Sequence, residues 1–161
     1  ESRLWQTLQR ARPAFTLILY GTNDWNESEC RSAFPCYTVN SLRSMIRQAR
    51  DYGSNPVLGT IPPANPAYED KNAAARNIWV NDMNELVRAM AAAERVLIAD
   101  IHADFVAQPN LESLFVDHVH PNDAGYQLMA RTWFQAITGP GATASSRAPG
   151  TAFGFAPPGA P

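Results

Sequence analysis

Three short apolar runs, each set between stretches of helical periodicity, constrain this chain more than any other feature. Thr16-Leu17-Ile18-Leu19-Tyr20 ends in Gly21, Val57 to Ile61 is closed by Pro62-Pro63, and Val96 to Ile101 is the third. Continuous apolar runs of this length read as strands buried on both faces, the kind found in parallel sheets. Between them the period lengthens. Leu4, Trp5 and Leu8 share one face of a short helix that Ser2 can cap and Pro13 stops. Leu42, Met45, Ile46, Ala49 and Tyr52 line a second helix, with Gly53 in the C′ position. A long helix from Asn72 to Ala93 carries Trp79, Met83, Leu86, Val87 and Met90 on its stripe. A last helix, capped by Asn122 or Asp123 and running to Ile137, is expected to bury Tyr126, Met129, Ala130, Trp133 and Ile137. Such alternation predicts a parallel sheet with helices on both faces.

The 161 residues fit one domain, and 45% hydrophobic content is ample for its core. That domain is expected over residues 1–137. From Thr138 onward Gly, Pro, Ala, Ser and Thr dominate and Arg147 is the only charge, which predicts a flexible tail or linker over 138–161. A net charge of −2, with both signs interspersed, provides no basic stripe, so nucleic acid is not an expected partner. No apolar run approaches the roughly 20 residues of a membrane span. Three strands are few for such a sheet, and the run at Thr16 to Tyr20 would leave an apolar edge open. Further strands on its N-terminal side are expected to be missing from this chain.

Two cysteines occur, Cys30 and Cys36, close together and near Pro35. They are either a short-loop disulfide of an exported protein or two unrelated thiols of a cytosolic one. The polar loop between them, an unexpected place for core, favours the disulfide and with it a secreted or extracytoplasmic location.

Ligands of open parallel sheets bind at the carboxyl ends of the strands. Two polar clusters are expected there: Gly21-Thr22-Asn23-Asp24, and Asp117-His118-Val119-His120-Pro121. An Asp three residues before a His on a short loop can accept the Nδ1 proton and so turn Nε2 toward a nucleophile as general base. An Asn amide can donate to a developing oxyanion, a contact worth roughly 3 kcal/mol in the transition state. The plainer alternatives are that Asn23 and Asp24 form a turn, that His120 is a satisfied loop histidine and that Asp117 is a solvated carboxylate. His118 is expected at the surface. Gly21 and Trp25, flanking Asn23, are the candidate substrate contacts. His118 and His120 with Asp117, or His102 with Asp100 and Asp104, supply too few converging ligands for a metal site, and Asp100 fits better as a cap or brace. No cofactor is called for.

The segment Leu17-Ile-Leu-Tyr-Gly-Thr-Asn-Asp24 resembles the Gly-x-Asn-Asp block of the SGNH (GDSL-type) hydrolase family. Asp117-His-Val-His-Pro-Asn-Asp-Ala-Gly-Tyr126 resembles the same family's Asp-x-x-His-Pro-Asn block, in the expected order. The resemblance covers about Ser2 to Ile137. It implies a flavodoxin-like three-layer α/β/α sandwich and ester hydrolysis through an acyl-serine, with Asn23 as oxyanion donor, His120 as base and Asp117 as its partner. It also implies a small-molecule or carbohydrate ester as substrate. The family's Gly-Asp-Ser nucleophile block and its oxyanion glycine block are absent here. Ser28 and Ser32 lie near Asn23, but in a context unlike that block. The nucleophile is therefore expected from an N-terminal segment or another chain, and this chain alone is expected to be inactive. A glycan- or acyl-ligand-binding domain without turnover, built on the same fold, is the alternative; a plain interaction domain is a third reading.

Overall fold

A computed structural model describes residues 3–139, which leaves out the Ser2 cap and all but the first two residues of the expected tail. Helix α1 (Leu4–Ala11) leads to strand β1 (Phe15–Ile18). Short α2 (Ser28–Ser32) and then α3 (Thr38–Asp51) follow, and β2 (Asn55–Gly59) comes next. The order closes with α4 (Ala73–Glu94), β3 (Leu97–Ala99), α5 (Ile101–Val106) and α6 (Asp123–Thr138). The three strands form one parallel sheet in chain order, with Phe15 opposite Asn55 and Val57 opposite Leu97. The expected parallel α/β sheet is what the chain forms.

Helices cover it from both sides. On one face α3 packs over β1 and β2, and α4 over β2 and β3. The core between them includes Ile18, Leu58, Leu42, Ile46, Val87 and Met90. Side chains alternate along a strand, so Gly59 and Ala99 face the opposite layer, where α6 lies across β2 and β3. Gly59 leaves room for the Trp133 indole, which a Cβ there would meet at 2.7 Å.

Several expectations are corrected. β1 is not buried on both faces: Leu17 is 47% exposed, and Tyr20, beyond the strand's end, is 62% exposed. Leu17 lies opposite Val57, on the face that α6 covers only over β2 and β3. The third run is strand only as far as Ala99, because the Asp100 carboxylate accepts from the Ala103 N–H and caps α5. α6 buries Gly125, Leu128 and Thr132 and leaves Tyr126 and Ala130 exposed. It packs on α5 and on the 3₁₀ turn Leu111–Leu114 as well as on the sheet, and these contacts roll its buried stripe by about one position. Tyr52 follows the end of α3 and is exposed. The Cys30 end of the cysteine loop is core: Cys30 is fully buried with Ile61, Trp79, Val80 and Met83.

Candidate active site

The loop carrying Asp117 and His120 is closed by its own backbone. Phe115 and Pro121 form an isolated antiparallel bridge, and the Val116 N–H donates to His120 O at 2.9 Å. Inside the loop Asp117 Oδ1 accepts from the N–H groups of Val119 and His120, both at 2.8 Å. Asp117 Oδ2 lies 2.7 Å from His120 Nδ1. The N–H groups of Val119 and His120, and then the His120 ring, hold the Asp117 carboxyl well below the usual carboxylate range. It is therefore ionised near neutrality, where it accepts the Nδ1 proton and leaves Nε2 of an exposed ring free to take another. Among the described residues no serine hydroxyl is hydrogen-bonded to that ring. His118 is only half exposed, because its ring leans on Tyr68 with centroids 6.3 Å apart.

The second cluster follows β1. Gly21 adopts φ +117°, open to glycine at little cost, and a Cβ there would come within 2.7 Å of the Ile61 side chain. It is buried, so it acts by letting the chain turn. The Asp24 N–H then bonds Gly21 O at 3.0 Å and a 3₁₀ turn runs over Asp24–Asn26. Thr38, the first residue of α3, donates its hydroxyl to Asp24 Oδ2 at 2.5 Å. Asp24 thus anchors the turn, whereas Asn23 is exposed and its side-chain amide has no protein partner among the described residues. Trp25 is half-buried, edge-on to Trp79 at 6.2 Å, with Arg31 over its ring at 5.8 Å. The sulfurs of Cys30 and Cys36 are bonded to each other, and the Trp79 indole N–H donates to Cys30 O at 3.0 Å.

Three side chains of α4, none of them singled out by the sequence reading, join these loops. Arg76 donates through Nη2 to Thr22 O, next to Asn23. Asn77 bonds both the N–H and the carbonyl of Ala64, at 2.7 and 3.1 Å, and Asn84 does the same for Ile61, at 2.7 and 2.9 Å. The segment so held ends in Asn65, whose N–H donates to His118 O at 2.9 Å and whose side chain donates to Asp117 O at 3.4 Å. A continuous set of bonds therefore runs from the Asn23 turn through the start of α4 to the Asp117 loop. Arg76 and Asn84 lie on the apolar stripe of α4 with Val80, Met83 and Val87, and that spacing was the signal that they are buried.

The remaining candidates are engaged elsewhere. Asp100 accepts from Arg88 Nε at 2.8 Å and Nη2 at 3.0 Å and from Thr60 at 2.9 Å, while Asp104 accepts from Thr132. His102 is 9% exposed, and burial lowers its pKa, as does the Arg88 charge.

A family model described as the GDSL-like lipase/acylhydrolase family matches residues 2–128. The chain belongs to that family. A multidomain esterase of Ruminococcus flavefaciens is similar, 27% identical over 135 residues; the match takes in 82% of this chain but 16% of that protein. Among solved structures, a GDSL-like lipase of Bacteroides thetaiotaomicron matches with a TM-score of 0.70 at 23% identity. It covers 84% of this chain and 67% of its own. An acetylxylan esterase of Geobacillus stearothermophilus, seen as a catalytic mutant, matches at 0.66 and 18% identity over 85% of this chain and 65% of its own. At these identities the structural likenesses establish the shared α/β fold.

Proposed function

We propose that this chain contributes the base, its orienting carboxylate and one oxyanion donor of a serine ester hydrolase whose nucleophile lies on polypeptide outside it. The observation that carries the reading is the Asp117–His120 pair, with Nδ1 held at 2.7 Å by a carboxylate that two backbone N–H groups keep ionised. In this scheme the serine Oγ attacks the ester carbonyl and His120 Nε2 takes its proton. The Asn23 amide donates to the oxyanion, and His120 then protonates the departing alcohol. Water, deprotonated by the same nitrogen, cleaves the acyl-serine and restores the enzyme. The edge of β1, open among the described residues, supports an incoming neighbour there, as does coverage of only 67% and 65% of the two structural relatives. The substrate class is an ester of a small molecule or carbohydrate, for which acetylated xylan-type sugars are the first to try. Trp25 is the aromatic proposed to border it. The Cys30–Cys36 bond supports an oxidising, extracytoplasmic setting.

Hydrolysis of p-nitrophenyl acetate by this chain, by the longer natural polypeptide and by its His120→Ala variant tests the reading, with and without phenylmethylsulfonyl fluoride. Inhibitor-sensitive activity in the longer protein alone, lost on His120→Ala, is the expected result. Inhibitor-sensitive turnover by this chain alone would mean that it contains the nucleophile. The lack of a serine beside His120 among the described residues favours, as second reading, a ligand-binding domain without turnover. An inactive longer protein that still binds acetylated oligosaccharide in calorimetry would establish that one instead.

A further inference from the structure

Arg76 is the most unusual charge in the fold. It lies in the first turn of α4 and is 4% exposed, on the stripe that otherwise buries Ala73, Trp79, Val80 and Met83. Among the described residues no carboxylate pairs with it, and its recorded hydrogen bond goes to a backbone carbonyl, that of Thr22. Burial lowers its pKa. A cation taken out of water without a counter-ion is costly, and an apolar residue of similar volume usually suits such a position better. The bond it makes is to the peptide that joins Thr22 to Asn23. Asp24, one residue further, is tied to Thr38, so the turn is held on both sides of an Asn23 amide that has no protein partner among the described residues.

We propose that Arg76 is a positioning residue for the oxyanion contact, its guanidinium fixing the Thr22–Asn23 peptide so that the Asn23 amide is preset toward the charge that develops on the substrate. This rests on Asn23 being the oxyanion donor of the reaction proposed above. A preset donor stabilises the transition state without reorganising at the moment of reaction. The effect therefore falls on kcat rather than on KM.

The test uses the longer, serine-bearing polypeptide and its Arg76→Met, Arg76→Lys, Asn23→Ala and Arg76→Met/Asn23→Ala variants, assayed on p-nitrophenyl acetate beside His120→Ala. Arg76→Met is expected to lower kcat about tenfold or more at nearly constant KM. Its melting temperature should stay at or above that of the parent. Arg76→Lys should recover part of the loss, and Arg76→Met should add little once Asn23 is Ala, because the two act as a unit. A His120-dependent esterase whose kcat is unchanged by Arg76→Met would overturn this inference alone. So would a loss that multiplies fully with that of Asn23→Ala. Activity that survives His120→Ala would overturn the parent reading and this one together. If Arg76→Met does not fold, Arg76→Lys carries the same comparison, since the ammonium keeps the charge but not the planar fork.

Discussion

The Asp100 carboxylate sits where β3 gives way to α5, accepting from Arg88, Thr60 and the Ala103 N–H. Burial pushes its pKa up, but the bonds from Arg88, Thr60 and Ala103 outweigh burial and hold it below the usual value. With the folded pKa below that of the unfolded chain, about 3.9, the contribution to stability is complete above that pH and is lost as pH falls through the folded value. Asp100→Asn should therefore destabilise the fold by about 1–3 kcal/mol at pH 7, toward the lower end because a third of the side chain is solvated. Urea midpoints of parent and variant at pH 7 and pH 3 measure it. The gap should narrow in acid, and a gap of constant size would assign the stabilisation to packing. Asp117 is depressed for a different reason, first the Val119 and His120 N–H groups and then the ring, so its bonds lie within its own loop rather than in the core.

At the next scale, the start of α6 determines how the Asp117–His120 loop sits. Asn122 caps the helix by accepting from the N–H groups of Ala124 and Gly125, and its own N–H donates to Leu114 O at 2.8 Å. Gly125 is small because that same carbonyl fills the space beside it, 2.5 Å from where a Cβ would stand. A backbone oxygen cannot swing away as a side-chain end can. Gly125→Ala should therefore cost about 1–3 kcal/mol or more, and it should shift the Asp117 loop; thermal melts, with the His120 ring resonances followed by NMR, would show both. A cap at Asn122 or Asp123, of which the structure uses Asn122, the apolar periods of α3 and α4 and the parallel sheet were legible from residue spacing alone. Three features were not. The start of α5 hides at the end of what reads as one apolar run, because Asp100 interrupts it by capping rather than by breaking the hydrophobic pattern. The roll of α6 depends on α5 and the Leu111–Leu114 turn, which no period within α6 encodes. Asn77 looks like a surface amide until the Ala64 backbone it bonds is in place, and the stripe position of Asn84 signals burial but not the Ile61 backbone it bonds. The two site motifs could be read because each is contiguous, whereas the bonds between them join residues far apart in sequence.

For the molecule as a whole, the exposed side chain of Leu17, on a strand whose outer edge is unpaired among the described residues, is the main liability of the isolated chain. Edges of this kind pair with other chains unless they are covered or charged. The chain alone is expected to self-associate, with a sedimentation coefficient that rises with concentration, and Leu17→Lys should shift it toward monomer. A concentration-independent monomer for the parent chain would count against an open edge. The register adds a kinetic side to this. Phe15 waits for Asn55 and Val57 waits for Leu97, so each strand pairing must close a loop of roughly forty residues. Sheets built from such distant pairings fold slowly. Until β2 reaches it β1 is unpaired, and whatever strand arrives first, from its own chain or another, competes on speed before it competes on fit.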